Sequence, residues 1–203
     1  MSTPDPARSP ASRLALPLLA FLFGAVGLLM AVAVVFMPGK DGQSPAAVGG
    51  PFRLVDQNGR TVTEKDLEGA PTLVFFGFTH CPDVCPTALQ EITTIYDALG
   101  PKGDGLRSFF VTVDPERDTP ELLKTYLSSF DSRIRGLSGD RAQTDAMMKS
   151  WRVYARKVPL DGGGYTMDHT ALIYLMDKRG RFVGGFNLQR TPAESARELE
   201  AMF

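Results

Sequence analysis

The sequence predicts an α/β domain, a central sheet flanked by helices with an extra N-terminal β-hairpin, behind one N-terminal transmembrane helix. Three observations carry this. From Phe52 onward, short apolar runs alternate with amphipathic stretches over short connections, the order of one layered α/β unit. The run Thr72–Phe78 is apolar on both faces, which suits a buried central strand in a sheet covered on both sides. Finally, Leu14 to Met37 runs for 24 residues without a charge. As a helix it would be about 36 Å long, enough to cross a hydrocarbon core of about 30 Å with tilt.

In chain order, residues 1–13 are rich in Pro and Ser, carry Arg8 and Arg13 and show no periodicity, so they read as a disordered cytoplasmic tail. The 14–37 span exceeds the roughly 7–15 residues of a signal-peptide apolar region, so an uncleaved anchor is expected. Pro17 falls in its first turn, where a helix tolerates proline. Arginines precede the span, and Lys40 with Asp41 nearly cancel after it. The positive-inside rule then gives an N-in, single-pass protein of the inner membrane. Its domain is expected in the periplasm, an oxidising compartment. Residues 38–50 read as a flexible linker and 51–203 as the domain.

Within the domain, Phe52–Val55 and Thr61–Thr63 flank Asp56-Gln57-Asn58-Gly59, a strong hairpin signal. After the strand at Thr72–Phe78, Thr87–Leu99 has Leu89, Ile92, Ile95, Tyr96 and Leu99 at helical spacing, and Gly100-Pro101 stops it. Phe109–Val113 is the next strand. Thr119 caps, and Pro120 opens, a helix over Glu121–Phe130. Ile134–Leu137 is a short strand at best, and Arg141–Val153 a helix with Ala142, Met147, Met148 and Trp151 inward. Asp161–Gly164 is a loop. Ala171–Met176 and Arg181–Gly184 pair around the turn Asp177–Gly180, and Thr191 with Glu194 forms a capping box for the last helix. A strand that delivers a cysteine pair to a helix N-terminus in this order is a thioredoxin-like arrangement.

Beyond residue 40 the chain carries 19 basic and 22 acidic side chains. It has no basic block and no basic–aromatic stripe, which excludes nucleic acid as an expected partner. The chemistry lies in the only two cysteines, in Gly77-Phe78-Thr79-His80-Cys81-Pro82-Asp83-Val84-Cys85-Pro86. A helix N-terminus favours thiolate, and Pro82 suits the first helical position. If 81–85 is helical, the two Cα atoms lie about 6 Å apart. That is within disulfide range, and close enough for both sulfurs to hold one soft metal ion. The pair is thus a redox couple, a metal site or a structural bridge. A bridge across three residues would constrain the unfolded chain little, which argues against the last.

His169, in Tyr165-Thr166-Met167-Asp168-His169-Thr170, directly precedes an apolar strand. In thioredoxin-like folds the loop entering that strand lies against the cysteine turn, so His169 is placed to reach both sulfurs. The alternative is a polar residue capping its own strand. His80 should point away from Cys81 and serve the turn. Two thiolates and one imidazole suit copper, whereas a closed zinc site wants a fourth ligand. Asp168 and Asp83 are candidates to orient ligands and Met167 to offer a thioether. Met176, Met147 and Met148 read as core. Asp114-Pro115-Glu116-Arg117-Asp118-Thr119-Pro120, three acids around an arginine, reads as a capped, solvated loop.

Taken together, Thr79–Pro86, Val113–Pro120 and Asp168-His169-Thr170 before Ile173-Tyr174-Leu175 resemble the Sco/SenC family of copper proteins, from about Gly50 to the C-terminus. The resemblance implies a membrane-anchored thioredoxin-fold domain that binds a copper ion through Cys81, Cys85 and His169. It implies delivery of copper to the binuclear centre of cytochrome c oxidase subunit II during oxidase assembly. Other periplasmic copper chaperones and thioredoxin-like reductases are the further partners expected. The alternative is an enzyme, a thiol–disulfide reductase using Cys81 and Cys85 to keep that subunit's cysteines reduced; a third reading is a redox or copper sensor. Thioredoxin's own C-x-x-C and the proline before its penultimate strand are absent, which weighs against a general dithiol oxidoreductase. Whether Met167 or Asp168 adds a ligand stays open.

Overall fold

The structure, a computed structural model, describes residues 23–30 and 48–203. The expected tail, most of the 14–37 span and most of the 38–50 linker lie outside the described residues. Residues 23–30 are helical, with Phe23, Leu28, Leu29 and Met30 exposed. No helix among the described residues is long and apolar enough to cross a membrane.

The strands are β1 (Arg53–Asp56), β2 (Thr61–Thr63), β3 (Thr72–Gly77), β4 (Arg107–Thr112), β5 (Ile134–Ser138), β6 (Ala155–Pro159), β7 (Tyr165–His169), β8 (Ile173–Met176) and β9 (Phe182–Phe186). The helices are α1 (Val84–Leu99), α2 (Pro120–Leu127), α3 (Arg141–Trp151) and α4 (Pro192–Glu200). Seven strands form one mixed sheet in the order β2-β1-β5-β4-β3-β8-β9. β3 runs parallel to β4 and antiparallel to β8, so it is interior, and all six of its residues are buried, as its sequence required. The expected β1–β2 hairpin forms, closed by Asp56, whose carboxylate accepts the Asn58 and Arg60 N–H at 2.9 Å each. β5, expected to be marginal, is a five-residue strand that joins this hairpin to β4.

Successive residues of a strand face opposite sides. Phe75 therefore packs on Phe110, with Tyr126 of α2 beyond it, while Phe76 meets Trp151 of α3 and Tyr174 of β8 on the other face. Helices thus cover both faces, which is what allows β3 to be apolar throughout. Thr119, Asp140 and Thr191 cap α2, α3 and α4 with their side chains. α2 ends three residues before the expected Phe130, and α3 stops at Trp151, where Arg152 turns left-handed.

Two local expectations are corrected. α1 opens at Val84, so Pro82 sits in the preceding bend and Pro86 occupies the first turn instead. β6 and β7 form a separate two-stranded antiparallel sheet that the sequence did not announce. Arg156, Lys157 and Pro159 leave no apolar alternation in β6, and only Met167 of β7 is buried. The glycines read as a plain loop are its turn, with Gly163 and Gly164 at φ 88° and 78°, where a side chain would strain the backbone.

Candidate metal centre

β3 delivers the chain to the cysteine turn, and β7 delivers the histidine. Gly77, the last residue of β3, leaves room for Cys85: a Cβ there would stand 2.8 Å from the Cys85 Sγ and 2.5 Å from the Phe110 ring. Cys85 is fully buried at the start of α1, and Cys81 is partly exposed; both are free. The Cys85 N–H points at the Cys81 Sγ at 3.4 Å. Burial pushes the Cys85 thiol up, helped by Cys81 and Asp118 nearby. The expectation that the helix N-terminus favours thiolate is therefore overturned at Cys85, where loss of water outweighs the dipole.

His169 closes the site from the opposite side. Its Nε2 lies 3.9 Å from the Cys85 Sγ, and its ring meets Phe78 edge-on with centroids 5.7 Å apart. Its Nδ1 lies 2.9 Å from the Thr170 carbonyl oxygen. A carbonyl only accepts, so Nδ1 donates to it and Nε2 is the ring nitrogen that faces Cys85. Asp168 and Asp83 do not take this orienting part. Asp168 is exposed, with Arg156 4.0 Å away, and Asp83 is exposed beside Thr87. Met167 is 7% exposed and lines the same cleft as Cys81, Pro82 and His169. Met176, Met147 and Met148 are core. His80 stays on the turn, its Nδ1 3.0 Å from the Thr79 Oγ1.

The structure thus brings Cys81, Cys85 and His169 to one cleft. As they stand, no group of three His, Cys, Asp or Glu side chains among the described residues is tight enough to hold a metal ion. The donor set still fits a soft ion, with two sulfurs and an imidazole nitrogen on the inward side.

The loop after β4 is where the sequence reading went wrong. Asp114 and Asp118 are fully buried, not solvated. Asp118 accepts the Thr79 N–H at 3.0 Å, the Thr79 hydroxyl at 2.6 Å and the Thr112 hydroxyl at 2.7 Å, tying the cysteine turn to β4. Asp114 accepts from Arg117 and, at 2.9 Å, from the Tyr165 hydroxyl, tying the same loop to the histidine hairpin. The overlooked signal is positional. Neighbouring parallel strands end side by side, so polar residues after one face the loop after the other.

A family model described as SCO1/SenC matches residues 40–203. A SCO2-like protein of Rickettsia prowazekii is 39% identical over 158 residues, covering 77% of this chain and 75% of its own. Among solved structures, Bradyrhizobium japonicum ScoI with copper bound is 59% identical at a TM-score of 0.76, over 77% of this chain and 100% of that one. Yeast Sco1 with copper bound is 37% identical at a TM-score of 0.68, over 75% and 86%.

Proposed function

The chain belongs to the SCO1/SenC family, and from that premise we propose that it is a copper-binding protein of cytochrome c oxidase assembly. In this reading the N-terminal span anchors it in the inner membrane and the domain works in the periplasm. Copper is its cargo, held by Cys81, Cys85 and His169 and passed by ligand exchange to the cysteines of oxidase subunit II. The strongest support is the imidazole of His169, whose Nδ1 is fixed on the Thr170 carbonyl while Nε2 faces the Cys85 sulfur at 3.9 Å. An oriented imidazole beside a sulfur pair is what a soft cation needs. Relatives at 59% and 37% identity have been solved with copper bound, which supports copper as the ion.

The roles then divide by environment. Burial keeps Cys85 a thiol until a soft cation takes the place of its proton, so uptake releases protons and weakens as the pH falls. Cys81, partly exposed, is the sulfur an acceptor can reach first. Exchange with a partner's disulfide, which leaves reduced as two thiols, would oxidise the pair to a Cys81–Cys85 disulfide, remove both thiolates and release the cargo. The reductase reading draws support from the same asymmetry, since an accessible sulfur beside a buried one suits attack and resolution.

His169→Ala separates the two. Thiol exchange needs attacking and leaving thiolates and access to them, not the imidazole. Copper capture needs the third ligand. A copper competition titration on reduced full-length chain should show affinity lost by orders of magnitude, while a thiol-exchange assay shows the cysteine pair still cycling. Copper held as tightly as by the parent chain would remove His169 from the site. Lost copper with intact oxidase assembly at scarce copper would put the reductase first.

A further inference from the structure

Arg117 sits between the two buried aspartates, and the copper reading gives it nothing to do. Its guanidinium nevertheless reaches Asp114, Tyr165 and Phe78 together. Nε donates to the Asp114 carboxylate at 2.5 Å, and Nη1 donates to the Tyr165 carbonyl oxygen at 2.9 Å. The guanidinium carbon lies 3.8 Å from the centroid of the Tyr165 ring and 6.0 Å from that of Phe78. Phe78 in turn stands edge-on to the His169 ring. Tyr165 completes the clasp, its hydroxyl donating to the other oxygen of Asp114 at 2.9 Å.

One further observation separates this residue from an ordinary ion pair. Its Nη2 is buried with no acceptor among the described residues. An unmet N–H on a charged group is costly, so the arrangement is a poor one for stability alone. It is a good one for geometry. A planar fork donates in two directions while its flat face lies on a ring, a combination that lysine's point-like ammonium does not reproduce.

We propose that Arg117 is a positioning residue for His169. By gripping Asp114 together with the Tyr165 carbonyl and ring, it fixes the β6–β7 sheet over the cysteine turn and aims the imidazole at Cys85. The inference rests on the copper reading of Cys81, Cys85 and His169.

The test is a double-mutant cycle on reduced full-length chain, read by copper competition titration. Arg117→Gln and Arg117→Lys are each made in the parent and in a His169→Ala background. In the parent background both should weaken copper by about tenfold, the scale of losing a residue that supports a ligand. In the His169→Ala background neither should weaken it further, because the ligand they position is gone. Unchanged affinity in the parent background overturns the inference. An equal loss in both backgrounds also overturns it, since Arg117 would then serve the fold or the cysteines. Thermal unfolding of each variant shows whether the domain persists. Should Arg117→Gln fail to fold, Tyr165→Phe, which removes one hydroxyl and keeps the ring, carries the same cycle with a smaller loss confined to the parent background. Failure of the copper reading looks different: the parent chain binds no copper, or binds it equally without His169, and the inference falls with it.

Discussion

The two halves of the cleft are built in opposite ways. The cysteine half hangs from β3, an interior strand with every residue buried, and Cys85 is packed beside Gly77 inside the main core. The histidine half hangs from a two-stranded sheet with a single buried side chain, Met167, held down by that residue and the Tyr165–Asp114–Arg117 clasp. One wall is set by close packing and the other by a few directed polar contacts. Packing of that kind resists displacement, whereas a small sheet held by side chains has a low cost of opening. Under the proposed function, a site that takes up an ion and gives it away would gain from that asymmetry, because one wall keeps the pocket's shape while the other would let the ligand sphere close and reopen.

A matched pair of glycines breaks the comparison most directly. Gly77→Ala puts a Cβ 2.5 Å from Phe110 and 2.8 Å from the Cys85 Sγ, whereas Gly162→Ala, at the hairpin tip, meets nothing within 4 Å. Urea unfolding should show the first destabilised by about 3 kcal/mol, the upper range for overpacking a tight core. The second should not move the midpoint measurably. If the two behave alike, the cysteine wall is as yielding as the hairpin and the contrast is void.

Asp118 offers the next largest effect. Asp118→Ala leaves the Thr79 N–H and the hydroxyls of Thr79 and Thr112 without their acceptor in a buried place. The expected loss is about 2 kcal/mol in urea unfolding, since an unmet buried donor forfeits its solvation. The cysteine turn should loosen with it, seen as faster alkylation of Cys85 in the folded chain. Unchanged alkylation would mean that Asp118 supports β4 alone and not the turn.

The same contrast explains what was legible in the sequence. Thr72–Phe78, the α1 pattern from Leu89 to Leu99 and the Thr191–Glu194 capping box are local signals, and burial enforced them. That Cys81, Cys85 and His169 come together was readable from residue type and from their place before or after an apolar strand. β6 was not, because Arg156, Lys157 and Pro159 carry no alternation and gain their strand from pairing with β7 rather than from burying a face. The Asp114–Asp118 loop misled for a related reason. Acidic side chains are almost always solvated, and these two are buried only because partners far along the chain, Thr79 and Tyr165, meet them there. Long-range hydrogen bonding leaves no periodic trace.

The smallest expected effect decides what holds the hairpin. Lys157 of β6 contacts the Glu116 carboxylate, and that contact first of all keeps the Glu116 carboxyl below its usual range. Both side chains are well exposed, 41% and 52%. If this pair pinned the hairpin, the amides of β7 would exchange faster once the charge were removed or screened. The buried clasp makes a different demand, because neither the Asp114 carboxylate nor its contacts with Arg117 and Tyr165 face open solvent to the same degree. Exposed ion pairs contribute little and are screened within about 10 Å at 0.1 M salt, while buried pairs are screened much less. Glu116→Gln should therefore leave hydrogen exchange at Met167 and His169 within about twofold of the parent chain, and raising salt to about 0.5 M should do the same. Marked acceleration under either condition would move the hold from the buried clasp to the surface. The histidine wall would then be tunable by ionic strength, which the cysteine wall, packed around Cys85, is not.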